Sequence, residues 1–173
     1  MLQDKYLPTF DFFEHHSIQV ASPPERIFPL IDELDLGQSR LIRFLFLLRG
    51  MGADMTLKHG LLQENFVELE KISDQELALG LVGQFWRPSG NLQKLSPAEF
   101  LAFNTEDFAK AVWNFRLTRA GHQATMVETE TRILCLGGRA RRRFSFYWFF
   151  IKPFSGIIRM EILRLIKRTA ERR

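Results

Sequence analysis

The sequence predicts an α+β fold in which a curved, mostly antiparallel sheet wraps a long C-terminal helix. Three observations carry this. Residues 125–136 alternate as a strand, with Val127, Thr129, Thr131 and Ile133 on one face and Glu128, Glu130 and Arg132 on the other. After Gly137 come an arginine cluster (Arg139, Arg141, Arg142, Arg143), the aromatic run 144–150, and apolar residues at helical spacing over 157–165. Between 63 and 119 lie further strand-like stretches with one helical interruption. Strands in series followed by one helix place that helix across a sheet face.

The elements follow in order. Residues 12–21 read as a strand: Phe12, Ile18 and Val20 share one parity, with Glu14 and His16 between them. Ser22-Pro23-Pro24-Glu25 reads as a capping box that starts a helix. Ile27, Leu30, Ile31 and Leu34 then fall at i, i+3, i+4, i+7, and the helix ends before Gly37. A second helix over 38–48 is apolar nearly all round (Leu41, Ile42, Phe44 to Leu48), as expected of a buried helix, a cavity cover or a membrane-dipping segment. Gly50 and Gly52 break the chain. Strands at 63–72 and 75–86 flank Ser73-Asp74 and form a hairpin. Gly80 and Gly83 in the second of these suggest a bend or bulge. Ser96-Pro97-Ala98-Glu99 repeats the capping-box pattern before a short helix with Phe100, Leu101 and Phe103. Residues 110–119 make a strand with Ala111, Trp113, Phe115 and Leu117 on one parity, turned at Ala120-Gly121-His122 into the strand that ends at Leu136. Pro153 and Gly156 are expected to kink or interrupt the terminal helix.

A chain of 173 residues is most simply one domain, 1–173, with enough length to bury a core. Its 46% hydrophobic content argues against disorder. Seventeen Phe fit an oversized core, an apolar cavity or a membrane-facing patch, and composition does not separate these. Cys135 is the single cysteine, so an internal disulfide and a cysteine metal cage are both excluded. That usage, with no basic-then-apolar leader and no charge-free stretch of about 18 residues, predicts a cytoplasmic protein without a spanning helix. Net charge is +4, but residues 139–173 carry +9, leaving −5 for the rest. This basic face is either the wet side of an amphipathic helix or a surface for anionic lipid, nucleic acid or an acidic partner.

The opening strand followed by Ala21-Ser-Pro-Pro-Glu-Arg-Ile-Phe28 resembles the start of START-like domains, the superfamily that includes polyketide cyclase/dehydrase and lipid-transport proteins. Thr129-Glu-Thr-Arg132, Ala140-Arg-Arg-Arg-Phe144, Tyr147-Trp148 and Ser155-Gly-Ile-Ile-Arg159 resemble bacterial members of that group. The resemblance spans essentially the whole chain and implies a helix-grip fold with a cavity between the sheet and the C-terminal helix. Parity then nominates Trp113, Phe115, Thr129 and Thr131 as lining residues, joined by Phe85 or Trp86 from the hairpin. Phe144, Tyr147, Trp148 and Ile151 fall on one helical stripe that closes the cavity. Each of these residues also fits a filled core. The superfamily holds carriers, cyclases and receptors, so the fold leaves function open.

Candidate chemistry is sparse. His15, His16, His59 and His122 share no metal-ligand spacing, and His15 and His16 point to opposite faces of one strand. No metal or other cofactor is implied. Glu128, Glu130 and Arg132 read as a solvated outer face; with the register reversed, Glu130 becomes the catalytic candidate and Arg116 its partner. Cys135 reads as an inert buried thiol. No nucleophile elbow, phosphate loop or nucleic-acid motif is present. The expectation is therefore binding or transport of a small hydrophobic or lipid-like ligand, with possible peripheral contact with anionic membrane. Two alternatives stand beside it: a polyketide cyclase/dehydrase-type enzyme, and an interaction module using the basic C-terminal helix.

Overall fold

A computed structural model describes residues 1–33, 35, 39, 65–121 and 123–172. The expected apolar helix over 38–48 (residue 39 excepted), and His59 and His122, lie outside the described residues. The element order is α1 (Leu2–Tyr6), β1 (Phe12–Val20), α2 (Pro24–Glu33), β2 (Val67–Ile72), β3 (Glu76–Gly83), α3 (Pro97–Ala102), β4 (Phe108–Arg119), β5 (Thr125–Leu136) and α4 (Gly138–Glu171). The five strands form one antiparallel sheet in the order β1-β5-β4-β3-β2. The long helix α4 lies across β1 and β5 and also meets α2. The arrangement is α+β and helix-grip.

The register settles which residues face α4. Rows of partners run Glu14–Thr131–Trp113–Leu79 and His16–Thr129–Phe115–Leu77 across β1, β5, β4 and β3. Alternation then puts Ile18, Val20, Val127 and Leu117 on the same face, where they pack with Ile162, Leu163, Leu165, Ile166 and Ala170 of α4 and with Ile27, Phe28, Leu30 and Ile31 of α2. Each large apolar side chain buried there contributes about 1.5–3 kcal/mol. A second apolar cluster holds Phe12, Ile133 and Cys135 against Ala140 and Phe144 near the N-terminal end of α4. Clamped at both ends, α4 runs through Pro153 and Gly156 as one 34-residue helix, without the expected interruption. Packing on either side of the proline outweighs the roughly 3 kcal/mol it costs a helix.

The opposite sheet face is covered by α1 and α3. Leu2, Tyr6, Leu7 and Phe100 pack on Val67, Leu69, Ala78, Val82 and Val112. The expectation that Glu130 and Arg132 are solvated does not hold. Arg132 donates to Glu130 Oε1 (2.6 Å) and Asp4 Oδ1 (2.8 Å), and its guanidinium lies over Phe10. The buried Glu76 carboxylate accepts the Leu2 N–H (3.1 Å) and the Asn114 amide (2.7 Å), which pins the start of α1.

The capping box closes at Ser96, whose hydroxyl and Glu99 exchange bonds with each other's backbone N–H groups. It does not form at Ser22. There the helix begins at Pro24, the Ser22 hydroxyl is buried without a partner among the described residues, and Glu25 pairs with Arg119 instead. The Ser22 carbonyl is taken by Thr125 Oγ1 (2.7 Å), which ties the chain to β5. The bulge foreseen at Gly80 and Gly83 falls on the partner strand, between Glu68 and Glu70. Gly80 serves close approach: a Cβ there would stand 2.9 Å from the Phe100 ring.

Candidate functional site

Between its two apolar clamps, α4 crosses a polar patch on β1, β5 and β4. The residues that interrupt the apolar parity of β1, Glu14 and His16, point at the helix. Glu14 Oε1 is 2.9 Å from His16 Nε2, and Glu14 Oε2 accepts from Ser155 Oγ at 2.6 Å. Gly156 makes this possible, since a Cβ there would stand 2.9 Å from Glu14 Oε1 and 3.6 Å from the His16 ring. One turn on, the Arg159 guanidinium lies over the Trp113 ring, 3.6 Å from its centroid. Trp113 is itself locked: its indole N–H donates to Thr129 Oγ1 (2.6 Å), which donates to the Asn114 carbonyl (2.8 Å).

Arg159 is the unusual member. Its Nη1 is shielded from solvent and has no hydrogen-bond partner among the described residues. Burial pushes its guanidinium down to about 10, with Glu14 pulling the other way. A buried donor without an acceptor costs about 1–3 kcal/mol. The result is a fixed cation on an aromatic platform with a free donor, beside a carboxylate, an imidazole and a hydroxyl. Such a group holds an acceptor oxygen or polarises a carbonyl.

Next to this patch stands an aromatic wall. Phe144 is buried against Phe12, Phe85, Tyr147 and Trp148, with ring centroids 4.9, 6.2, 5.7 and 5.7 Å away. Among the nominated lining residues, Trp113, Phe115, Thr129 and Thr131 all face α4. Phe115 is fully enclosed in the core. Phe85, Tyr147 and Trp148 are half-buried around Phe144, and Trp86 packs at the same cluster with its indole N–H unpartnered. Glu130 and Arg116 lie on the opposite sheet face, because the register is the one that turns Thr129 and Thr131 inward. Their nomination depended on the reverse. Two open concavities stand apart from the sheet–helix interface. One, of about 660 Å³, is edged by Met1, Glu25, Ile72 and Arg116; the other, of about 450 Å³, by Trp86, Arg142, Arg143 and Phe146.

Sequence reasoning passed over Glu14, His16, Ser155 and Arg159 as a group. The signal was present: a Glu and a His set into the apolar face of a strand are buried polar groups that need partners.

No family model matches this chain, and no curated protein matches it. Among solved structures, the crystal structure of the Zhui aromatase/cyclase from Streptomyces sp. R1128 is similar, with 11% identity over 94% of each chain and a TM-score of 0.38.

Proposed function

We propose that this protein binds a small hydrophobic molecule carrying an acidic or carbonyl oxygen, held between the sheet and α4 with Arg159 as its polar anchor. The observation that carries this is the buried, unpartnered Nη1 of Arg159. A ligand oxygen there recovers a charge-assisted hydrogen bond that the free protein lacks. The aromatic wall around Phe144 suits the apolar body of such a molecule. Under this reading Trp113, Thr129 and Thr131 lie beside the ligand's polar end, and Phe85, Trp86, Tyr147 and Trp148 lie beside its apolar body.

Native mass spectrometry of freshly purified protein, with solvent extraction of whatever is carried along, tests this. The expected result is a reproducible apolar acid or carbonyl compound that is lost from Arg159→Met. An adduct retained unchanged by that variant would refute the anchor.

A second reading has a specific observation behind it. The Glu14–His16 pair beside Arg159 is an acid/base couple next to a cation able to polarise a carbonyl. Such a couple would support a cyclase/dehydrase-type reaction. Under that reading, Glu14→Gln and His16→Ala variants keep ligand binding and lose turnover. Under the carrier reading no substrate is consumed by any variant.

A further inference from the structure

Apart from Trp86 at one end, the outer face of α4 shares no residue with the site beneath it. Phe146, Phe149, Phe150 and Phe154 are 72, 76, 53 and 50% exposed, with Pro153 and Ile157 also open. At 3.6 residues per turn these six fall on one stripe, opposite the buried residues Phe144, Ile162 and Ile166. The stripe runs about 16 Å along the axis. Four exposed phenyl rings on one face of a helix are far from the scattered apolar residues of an ordinary surface.

Both ends of the stripe are basic on the same face. Arg139, Arg142 and Arg143 precede it and Arg164, Lys167 and Arg168 follow it. Arg143 pairs with Asp107 (2.8 Å), whereas Arg139 and Arg142 form no ion pair with any described residue. Beyond the stripe, Arg164 and Arg168 share the one carboxylate of Glu161. At the N-terminal end, Trp86, Arg142, Arg143 and Phe146 edge an open concavity of about 450 Å³. That is room for an anionic headgroup beside an indole whose N–H has no partner among the described residues.

We propose that this face docks on an anionic lipid bilayer, with the phenyl rings in the interfacial zone and the arginines at either end on lipid phosphates. Phenyl rings insert below headgroup level while arginine stems lie along the surface with their charges outward. The occupant is a membrane rather than a second copy of the chain. Pairing two such faces, parallel or antiparallel, sets arginine clusters against arginine clusters at both ends. No helix among the described residues is long and apolar enough to cross a bilayer, so the contact is peripheral.

Co-sedimentation of the full chain with vesicles of phosphatidylcholine, alone or mixed with phosphatidylglycerol, tests this. The expected result is binding to the anionic vesicles only, weakened by added salt. The exposed-face variants Phe149→Ser/Phe150→Ser and Arg139→Glu/Arg142→Glu should each lower it at least about tenfold. Light scattering on the same samples gives the oligomeric state. No binding to anionic vesicles would overturn the proposal, as would equal binding to both vesicle types or binding unaltered by the Phe substitutions. A dimer that the Phe substitutions dissolve, with no vesicle binding, would assign the face to a second copy and equally overturn it.

Discussion

Replacing Arg159 with Met should make the ligand-free protein more stable. Burial pushes its pKa down to about 10, which corresponds to about 3 kcal/mol working against the charged form in the fold. Against this stands the stacking on Trp113, worth about 1–2 kcal/mol for a desolvated pair. A thioether of similar length recovers part of that stacking through sulfur–aromatic contact, at about 0.3–1.5 kcal/mol. It also leaves no unpartnered donor behind. Glu14 keeps Ser155 and His16 as partners. The net expectation is a gain of about 1–3 kcal/mol, or a Tm higher by roughly 2–12 °C for a chain of this size. Urea unfolding of delipidated protein, followed by tryptophan fluorescence, measures it. A loss of more than about 1 kcal/mol would refute the reasoning, because Arg159 would then be a structural partner of Glu14 and not a group held at a cost.

Gly156→Ala sets helix propensity against close approach. Propensity favours Ala by about 1 kcal/mol, but the new Cβ meets Glu14 Oε1 at 2.9 Å and displaces a carboxylate whose bonds are worth about 1.5–3 kcal/mol. The variant should lose about 1 kcal/mol, and the sign should reverse in a Glu14→Ala background; a double-mutant cycle by urea unfolding reads both. Cys135 should be inert. Burial, with Asp11 adding to it, pushes its thiol up to about 12, so at pH 9 the thiolate is several hundred-fold scarcer than for a free cysteine. Iodoacetamide labelling of folded against urea-unfolded protein tests this. The sign for stability follows: the neutral thiol's contribution is complete below about pH 9, the unfolded value, and is lost as pH rises through about 12. Ser96→Ala should cost about 1 kcal/mol by opening the capping box at α3, measured by thermal denaturation.

The strand faces were legible because period-2 alternation at Thr125–Leu136 and along β4 is unambiguous once one face is apolar. It correctly turned Trp113, Phe115, Thr129 and Thr131 toward α4. The other face was misjudged for a reason of length. The five-residue helix α1 is too short to show a period, though Leu2 and Tyr6 at i, i+4 before Pro8 carry its pattern. Without α1, Glu130 and Arg132 look like solvated charges. The two capping-box sequences are alike, yet only Ser96 caps. At Ser22, Pro23 and Pro24 remove two N–H donors, and Arg119 draws Glu25 away. Gly156 reads in sequence as a helix breaker, and only the Glu14 carboxylate packed against it reveals its use. Of the candidate site, the aromatic cluster around Phe144 followed from helical spacing in α4. The polar patch needed residues 14, 16, 155 and 159 brought together from chain positions some 140 residues apart, which no local pattern encodes.

In the proposed complex Arg159 anchors an oxygen-bearing apolar ligand between sheet and helix. Fluorescence titration with cis-parinaric acid and with its methyl ester, on the wild type and on Arg159→Met, tests it most directly. The wild type should bind the acid at least about tenfold more tightly than the ester, and the variant should bind both alike. Failure of the wild type to bind either probe, or an acid preference that survives loss of the guanidinium, would contradict it.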